Sequence, residues 1–259
     1  MPRTGRASVG GICYHVINRG NARATVFHDE SDYKALVHLL HQSQQRRPMR
    51  VLAYCLMPNH VHLVLWPRQD GELSRWMQWL LTAHVRRHHR RHGSSGHIWQ
   101  GRFKAFPIQH DHHLLTVLRY VERNPLRANL VARAQDWPWA SLNQWSKPSR
   151  PAFLDDGPVP RPPRWTADVN RTMTAAELES VRRSVARGAP FGGQPWQKRT
   201  ALRLGLEASL RPRGRPKKKR GHSSFRDHAP NRGEARFSRP RGQKVVRRLG
   251  RKPGDGPEK

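Results

Sequence analysis

The sequence is poor in acidic residues, in cysteine and in long apolar runs. It has 18 Asp and Glu against 49 Lys and Arg, which gives a formal net charge of +31. A folded protein this basic requires a polyanionic partner, and nucleic acid is the usual one. A ribosome-type or membrane-surface protein is the alternative that the same charge allows.

Two further absences narrow the class of protein. Cys13 and Cys55 are the only cysteines, too few for a disulfide framework, and the chain starts without a signal-peptide pattern. We therefore expect a reducing, cytoplasmic environment. No run of 18 apolar residues occurs, which predicts that no segment crosses a membrane.

Composition divides the chain into four parts. Apolar residues concentrate in residues 1–145, which predicts the main folded domain, and a Pro-rich linker at 146–172 is expected to be extended. Residues 173–210 predict a small helical, DNA-binding module of helix-turn-helix type, with helices at 173–188 and 197–207 and a capping box at Thr174 and Glu177. Residues 211–259 carry 18 Lys and Arg against 4 Asp and Glu, which predicts a disordered basic tail.

The first part alternates strands and helices. Strands are predicted at 11–20, 51–57, 60–66 and 101–108, and helices at 29–47, 72–92 and 111–123, where Asn124-Pro125 should break the helix. Pro58-Asn59 is typical of a tight hairpin. The order predicts an α+β fold with a ferredoxin-like, split βαβ core, in which the first and third strands are central.

The stretch CLMPNHVHLVLW places His60 and His62 on one face of the third strand. Two imidazoles at this spacing can share a divalent metal, although satisfied polar residues on a half-exposed face are the alternative. Tyr120 and Asn124 share a face of the following helix, where Asn124 offers an oxygen ligand. This donor set favours Mg²⁺ or Mn²⁺, and Tyr120 would attack a phosphodiester. A core tyrosine and a plain helix stop are the alternatives.

Several stretches together resemble the HUH-type single-tyrosine transposases, and their REP-associated branch most of all: MPNHVHLVL, GHIWQGRFKA (96–105), RYVERNPLRANLV and DWPWAS (136–141). The resemblance continues through MTAAELE, RGAPFG and RTALRLGLEASLRPRGRPKK. It implies a bacterial, nucleoid-associated enzyme that cuts single-stranded DNA beside a hairpin through a 5′-phosphotyrosine link, without a nucleotide cofactor. By this resemblance residues 1–145 are the catalytic domain. Tyr120 would be the nucleophile, and His60, His62 and Asn124 the metal ligands, although many relatives have Gln at the last position. The branch is expected to act as a monomer, with a weak homodimer as the alternative.

Basic and aromatic residues predict the DNA contacts. Candidates in the first part are Arg86, Arg87, Arg90, Arg91, Trp99, Arg102 and Lys104. A solvated charged face with Trp99 in the core is the alternative. In the tail, RPRGRPKKKR resembles an AT-hook, with the core Arg213, Gly214, Arg215 and Pro216; a generic basic tail is the alternative. His84 and His88 also have a zinc-binding spacing, but no third ligand is near them in the sequence.

Two other functions remain open at this level. A DNA-binding protein that descends from such a transposase and has lost its chemistry would keep the basic surface. A cationic RNA-binding protein would have no use for Tyr120 beside paired histidines.

Overall fold

The computed structural model describes residues 8–145 and 147–211. Within these ranges the strands are β1 (Cys13–Arg19), β2 (Arg50–Met57), β3 (His60–Trp66) and β4 (Lys104–Ile108). The helices are α1 (Glu30–Arg46), α2 (Glu72–His92), α3 (His112–Glu122), α4 (Asn124–Arg127), α5 (Ser141–Trp145), α6 (Trp165–Asn170), α7 (Ala175–Arg187), α8 (Gln194–Leu204) and α9 (Glu207–Leu210). Single 3₁₀ turns occur at Asn21–Arg23 and Ala134–Asp136. Among the described helices, none combines the length and the apolar character needed to cross a membrane.

The sheet is antiparallel, with the strand order β2-β3-β1-β4. β1 and β3 are therefore central, and the predicted hairpin joins β2 to β3 with Met57 opposite His60. β4 contains Pro107 and lies at an edge, where a residue without an N–H is tolerated. The predicted α+β, ferredoxin-like split βαβ arrangement is confirmed. The fourth strand begins at Lys104 and not at Gly101, because Gly101 has a φ of +150°.

The two faces of the sheet pack against different helices, since side chains alternate along each strand. Tyr14, Val16 and Leu63 face α1 and α2, whose buried side chains include Leu36, Leu40, Leu73, Trp76, Met77 and Leu80. Cys13 and Val64 face α3, through Leu114, Val117, Leu118 and Val121. His15, His60 and His62 alternate in phase with Cys13 and Val64, so the strand histidines lie on the α3 face.

Residues 147–172 lie against this core and do not form the extended linker that the prolines predict. Leu154 bridges to Val51 of β2, and both Phe153 and Leu154 are buried. α6 follows, with Trp165 and Val169 buried in the core on the α3 side. Burial of the apolar side chains between the prolines is more favourable in free energy than their exposure to water in an extended chain.

The helices of 173–210 also pack on the core, since the described residues belong to one compact unit. α7 has the predicted capping box and ends at Gly188. The predicted helix at 197–207 is interrupted, because Gly205 takes a left-handed conformation and ends α8. Between α7 and α8, Phe191 bridges to Ile108 and covers the edge of β4. A DNA-binding role for this part stays a prediction.

Asn124 and Pro125 begin a helix, whereas the sequence predicts that they end one. α3 stops at Glu122, but Arg123 keeps helical angles (φ −80°, ψ −9°) and leads directly into α4. Pro125 lies in the first turn of α4, where its missing N–H removes no helical hydrogen bond. The short helix brings Arg127 back over the end of α3.

Candidate active site

His60 and His62 lie on the central strand β3, and their ring centroids are 4.9 Å apart. His60 Nδ1 is 2.6 Å from Asn59 Oδ1, so this nitrogen carries the proton and donates it to the amide oxygen. His62 Nδ1 is 2.8 Å from His15 Nε2, in a pair of stacked rings on neighbouring strands. Both Nδ1 atoms are thus engaged in hydrogen bonds, and the Nε2 atom is the available ligand atom of each ring.

The histidines of this face are held neutral. Burial lowers the pKa of His60 to about 4, with the charges of Arg19 and Arg127 acting in the same direction. Burial lowers the pKa of His15 to about 3, and that of His62 falls well below its ordinary value for the same reason. A neutral imidazole has a free lone pair, which a metal ligand requires.

The residues present fit a divalent metal. Histidine ligands in proteins usually donate their second ring nitrogen to an acceptor, which fixes the ring orientation. Asn59 Oδ1 is such an acceptor for His60, and His15 Nε2 is the hydrogen-bond partner of the second ring nitrogen of His62, with the donor set by the tautomers of the two rings. Neither was predicted from the sequence, although both belong to stretches that flank or pair with the histidine strand.

Tyr120 lies on α3, facing the histidines across the sheet surface. Its ring centroid is 5.9 Å from that of His62 and 6.1 Å from that of His15. The residue is 5% exposed. The guanidinium of Arg127 covers the ring, with Cζ 4.6 Å from the centroid, in a cation–π contact.

Asn124 is buried one turn beyond Tyr120. Its Nδ2 donates to the backbone oxygens of Tyr120 at 3.0 Å and Val121 at 3.4 Å. Its Oδ1 accepts a hydrogen bond from the guanidinium of Arg127. These contacts orient the amide and occupy one lone pair of Oδ1. The second lone pair of this oxygen remains for another partner.

Two arginines make the site cationic. Arg19 pairs directly with His60 in the β1–β3 register, and Arg127 acts on both His60 and His62. The sequence analysis did not single out either residue. Arg19 ends the strand that pairs with the histidine strand, and Arg127 follows Asn124 by three residues, so helix spacing could have indicated it.

The predicted DNA-binding arginines are exposed but lie away from Tyr120. Arg86, Arg87, Arg90 and Arg91 are carried by α2, which packs on the opposite face of the sheet. Arg91 also forms an ion pair with Asp29 at 2.6 Å, so part of its charge is used within the protein.

The side chain of Trp99 is buried in the core, which favours the alternative of a core tryptophan over a base-stacking role. It is 6% exposed and packs against Phe27 and His84. Arg102 and Lys104 are exposed. Lys104 pairs with Ile17, which in turn pairs with His62, so the three side chains lie in one row on the α3 face.

The AT-hook-like core in the tail lies outside the described residues. Arg213, Gly214, Arg215 and Pro216 all fall in the range 212–259. Their role stays a prediction from the sequence.

Comparison with known proteins gives a consistent result. Residues 8–124 match the family model described as "Transposase IS200 like". An Escherichia coli K12 protein named REP-associated tyrosine transposase is 23% identical over 138 residues, which cover 52% of this chain and 78% of that protein. A Haemophilus influenzae protein that carries this name provisionally is 28% identical over 114 residues, covering 40% of this chain and 64% of that protein. This chain therefore matches just under two thirds of the length of the Haemophilus relative.

A solved structure, described as a REP-associated tyrosine transposase bound to a REP hairpin, is 18% identical to this chain. The alignment covers 68% of this chain and 100% of the other, with a TM-score of 0.48. The matched segment of the family model contains His60, His62, Tyr120 and Asn124, so residues 8–124 of this chain are similar to the IS200-like transposases over the part that carries the candidate site.

Proposed function

We propose that this protein is a metal-dependent single-strand DNA endonuclease and strand transferase that acts at DNA hairpins. One observation carries the proposal: two neutral imidazoles present Nε2 atoms beside a tyrosine, in a site with two arginines. The relatives named as REP-associated tyrosine transposases support the same reaction class.

The reaction is a transfer of a phosphoryl group to Tyr120. The phenolic oxygen attacks the scissile phosphorus and loses its proton, the bond to the 3′-oxygen breaks, and that oxygen takes up a proton. The products are a 5′-phosphotyrosine link and a free 3′-OH. A 3′-OH can reverse the step and join strands, so no nucleotide cofactor is needed.

His60 and His62 would hold a divalent ion, Mg²⁺ or Mn²⁺, and Asn124 would supply an oxygen ligand. Such an ion stabilises charge on the phosphate and orients the leaving oxygen. His15 positions His62 through the hydrogen bond between their rings.

Arg127 has two tasks in this scheme. It covers the ring of Tyr120 and binds Asn124 Oδ1 before DNA arrives. A phosphate is a stronger acceptor than an amide, so the guanidinium should turn to the substrate and release Asn124 Oδ1. Arg19 supplies a second positive charge at the end of β1, next to His60.

The proposed substrate is single-stranded DNA that folds into a hairpin. We further propose that the protein acts in the bacterial cytoplasm on nucleoid DNA, as a monomer or weak homodimer. The exposed arginines of α2 and the tail would add affinity that falls steeply with salt.

The test is covalent adduct formation on labelled hairpin oligonucleotides taken from repeats that flank the gene. Wild-type protein with Mn²⁺ or Mg²⁺ should give a slowly migrating protein–DNA band on a denaturing gel. Tyr120→Phe and the double variant His60→Ala/His62→Ala should give none. Tyr33→Phe is the matched control, because Tyr33 is a core tyrosine on the other side of the sheet, and it should keep the adduct.

The alternatives predict different results in the same assay. Tight hairpin binding without an adduct under any metal would show a DNA-binding protein that has lost its chemistry. Tighter binding to RNA of the same sequence, again without an adduct, would show an RNA-binding protein.

A further inference from the structure

A second cluster of histidines lies on the other side of the sheet, between the start of α1 and the end of α2. His84, His88 and His92 follow one another at single-turn intervals on one face of α2. His28 precedes α1, and its ring faces His88 and His92. The cluster is separate from His60 and His62, because α1 and α2 pack on the opposite face from α3.

The spacing of three of these rings is that of ligands around one ion. The ring centroids are 4.4 Å apart for His88–His92, 5.1 Å for His28–His92 and 5.9 Å for His28–His88. A tetrahedral zinc ion about 2.0–2.1 Å from a nitrogen of each ring would place the centroids about 5 Å apart. The observed distances bracket that value.

Unsatisfied nitrogens in this cluster point to a ligand. Within the described part of the chain, neither ring nitrogen of the buried His88 has a hydrogen-bond partner, and His84 Nδ1 has none either. His88 is 8% exposed, so water does not readily replace the missing partners. An unpaired buried polar group destabilises the folded state, and a metal bond would supply the missing partner.

Asp32 completes the arrangement. Its carboxylate lies 2.9 Å from His92 Nε2 and accepts the backbone N–H of His28, also at 2.9 Å. A carboxylate that holds one nitrogen of a metal-binding histidine is a common feature of zinc sites. It leaves Nδ1 of His92 for the ion. His28 is exposed, so solvent can reach the fourth position.

We propose that His28, His88 and His92 bind a zinc ion, with Asp32 orienting His92 and water in the fourth position. Zinc suits the site because imidazole nitrogens are its common ligands and the site needs no redox chemistry. The ion would cross-link the segment just before α1, at His28, to the last turns of α2.

Binding requires the rings to rotate. Among the described residues, another set already has its ligand atoms within 4.8 Å of one another without any rotation: Asp111, His112 and His113. That set is a weaker candidate, because it comes from consecutive residues at the start of α3, and Asp111 Oδ1 already accepts from the backbone and ring of His113.

The test measures zinc in the full-length protein after chelation, zinc loading and desalting. His60→Ala/His62→Ala serves as the background, so that zinc in the candidate active site is not counted. We expect one equivalent of zinc per chain in that background, and its loss on adding His88→Gln or His92→Gln. His89→Gln is the matched control on the same helix, since its ring nitrogens bond Ser94 and Gly96, and it should keep the equivalent. His112→Gln should keep it as well.

Thermal unfolding gives a second readout. Zinc at about 100 times its Kd should raise Tm by roughly 5–10 °C, and His88→Gln should abolish the shift. If His88→Gln does not fold, His28→Asn at its exposed position should weaken zinc binding at least tenfold. Absence of zinc from the background protein would overturn the proposal, and so would full retention of zinc in the folded His88→Gln or His28→Asn variants.

Discussion

Glu122 anchors the helix that carries Tyr120, and its removal should destabilise the protein strongly. It lies two residues beyond Tyr120 and is 0% exposed. Ser141 Oγ donates to one carboxylate oxygen at 2.7 Å, and Trp165 Nε1 donates to the other at 2.6 Å. Burial raises the pKa of this carboxyl, and the charge of Arg161 and the two hydrogen bonds limit the rise. The contacts tie α3 to α5 and α6.

The magnitude follows from the groups left without partners. Glu122→Ala leaves Trp165 Nε1 without its acceptor, at about 1–3 kcal/mol, and leaves Ser141 Oγ with the longer contact to the backbone oxygen of Tyr54 at 3.2 Å. It also removes the charge that faces Arg161, and breaking a buried charge pair costs about 3–5 kcal/mol. We expect a loss of about 3–5 kcal/mol, a large share of the roughly 5–15 kcal/mol that stabilises a typical domain. Each kcal/mol shifts Tm by roughly 2–4 °C at this size, so Tm should fall by roughly 6–20 °C.

Glu122→Gln should cost less, about 1–3 kcal/mol. It keeps the volume and one acceptor oxygen, but it turns an NH₂ group toward one of the two donors. Urea unfolding followed by circular dichroism at pH 7.5 measures both variants.

Glu179→Ala is the control, because Glu179 forms an exposed ion pair with Arg183 on α7 and should change stability by less than about 0.5 kcal/mol. If the free energy of unfolding of Glu122→Ala lay within about 1 kcal/mol of the wild-type value, which is about the contribution of one hydrogen bond, the assignment of Glu122 as an anchor would be refuted.

Three further predictions concern the sheet and the site. Burial lowers the pKa of His15 to about 3, so below pH 6.5 the unfolded chain binds a proton that the folded state excludes. The free energy of unfolding should therefore decrease as the pH is lowered, and between pH 7.5 and 5 His15→Gln should lose about 2 kcal/mol less of it than the wild type. The exposed variant His97→Gln should match the wild type. Trp99→Ala should destabilise the folded protein by about 3–5 kcal/mol and change hairpin affinity no more than its unfolded fraction explains. A folded variant that binds the hairpin much more weakly would support a base-stacking role for Trp99. Arg127→Gln should slow adduct formation by about 10²-fold, measured under single-turnover conditions on denaturing gels. Arg90→Gln, on the opposite face of the sheet, should not change the rate at saturating DNA. Equal rates for Arg127→Gln and the wild type would show that Arg127 has no part in the reaction.

The sequence was sufficient for those features that depend on local patterns. Alternation and helical spacing predicted the order of strands and helices, and the split βαβ order then placed the histidine strand at the centre. The same periodicity put His60 and His62 on one face and Tyr120 one turn before Asn124. The capping box at Thr174 was also readable, since it involves residues three apart.

Contacts between distant segments could not be read from the sequence. His15 is 47 residues from His62, yet strand pairing brings their rings into a hydrogen bond. Trp99 appeared suited to DNA because cations surround it in the sequence, but folding buries it against Phe27. Residues 147–172, which the sequence predicts to be an extended linker, pack on the core because Phe153 and Trp165 are buried there.

The sequence by itself determined the chemistry that is available: a cationic chain with paired histidines, a tyrosine and an amide on a ferredoxin-like core. Only the tertiary structure decided which nitrogen of each histidine is free, where Arg127 lies, and that a second set of histidines meets between α1 and α2. The physical reason is that periodicity fixes which side chains share a face. Which faces then meet depends on the burial of apolar surface from segments far apart along the chain.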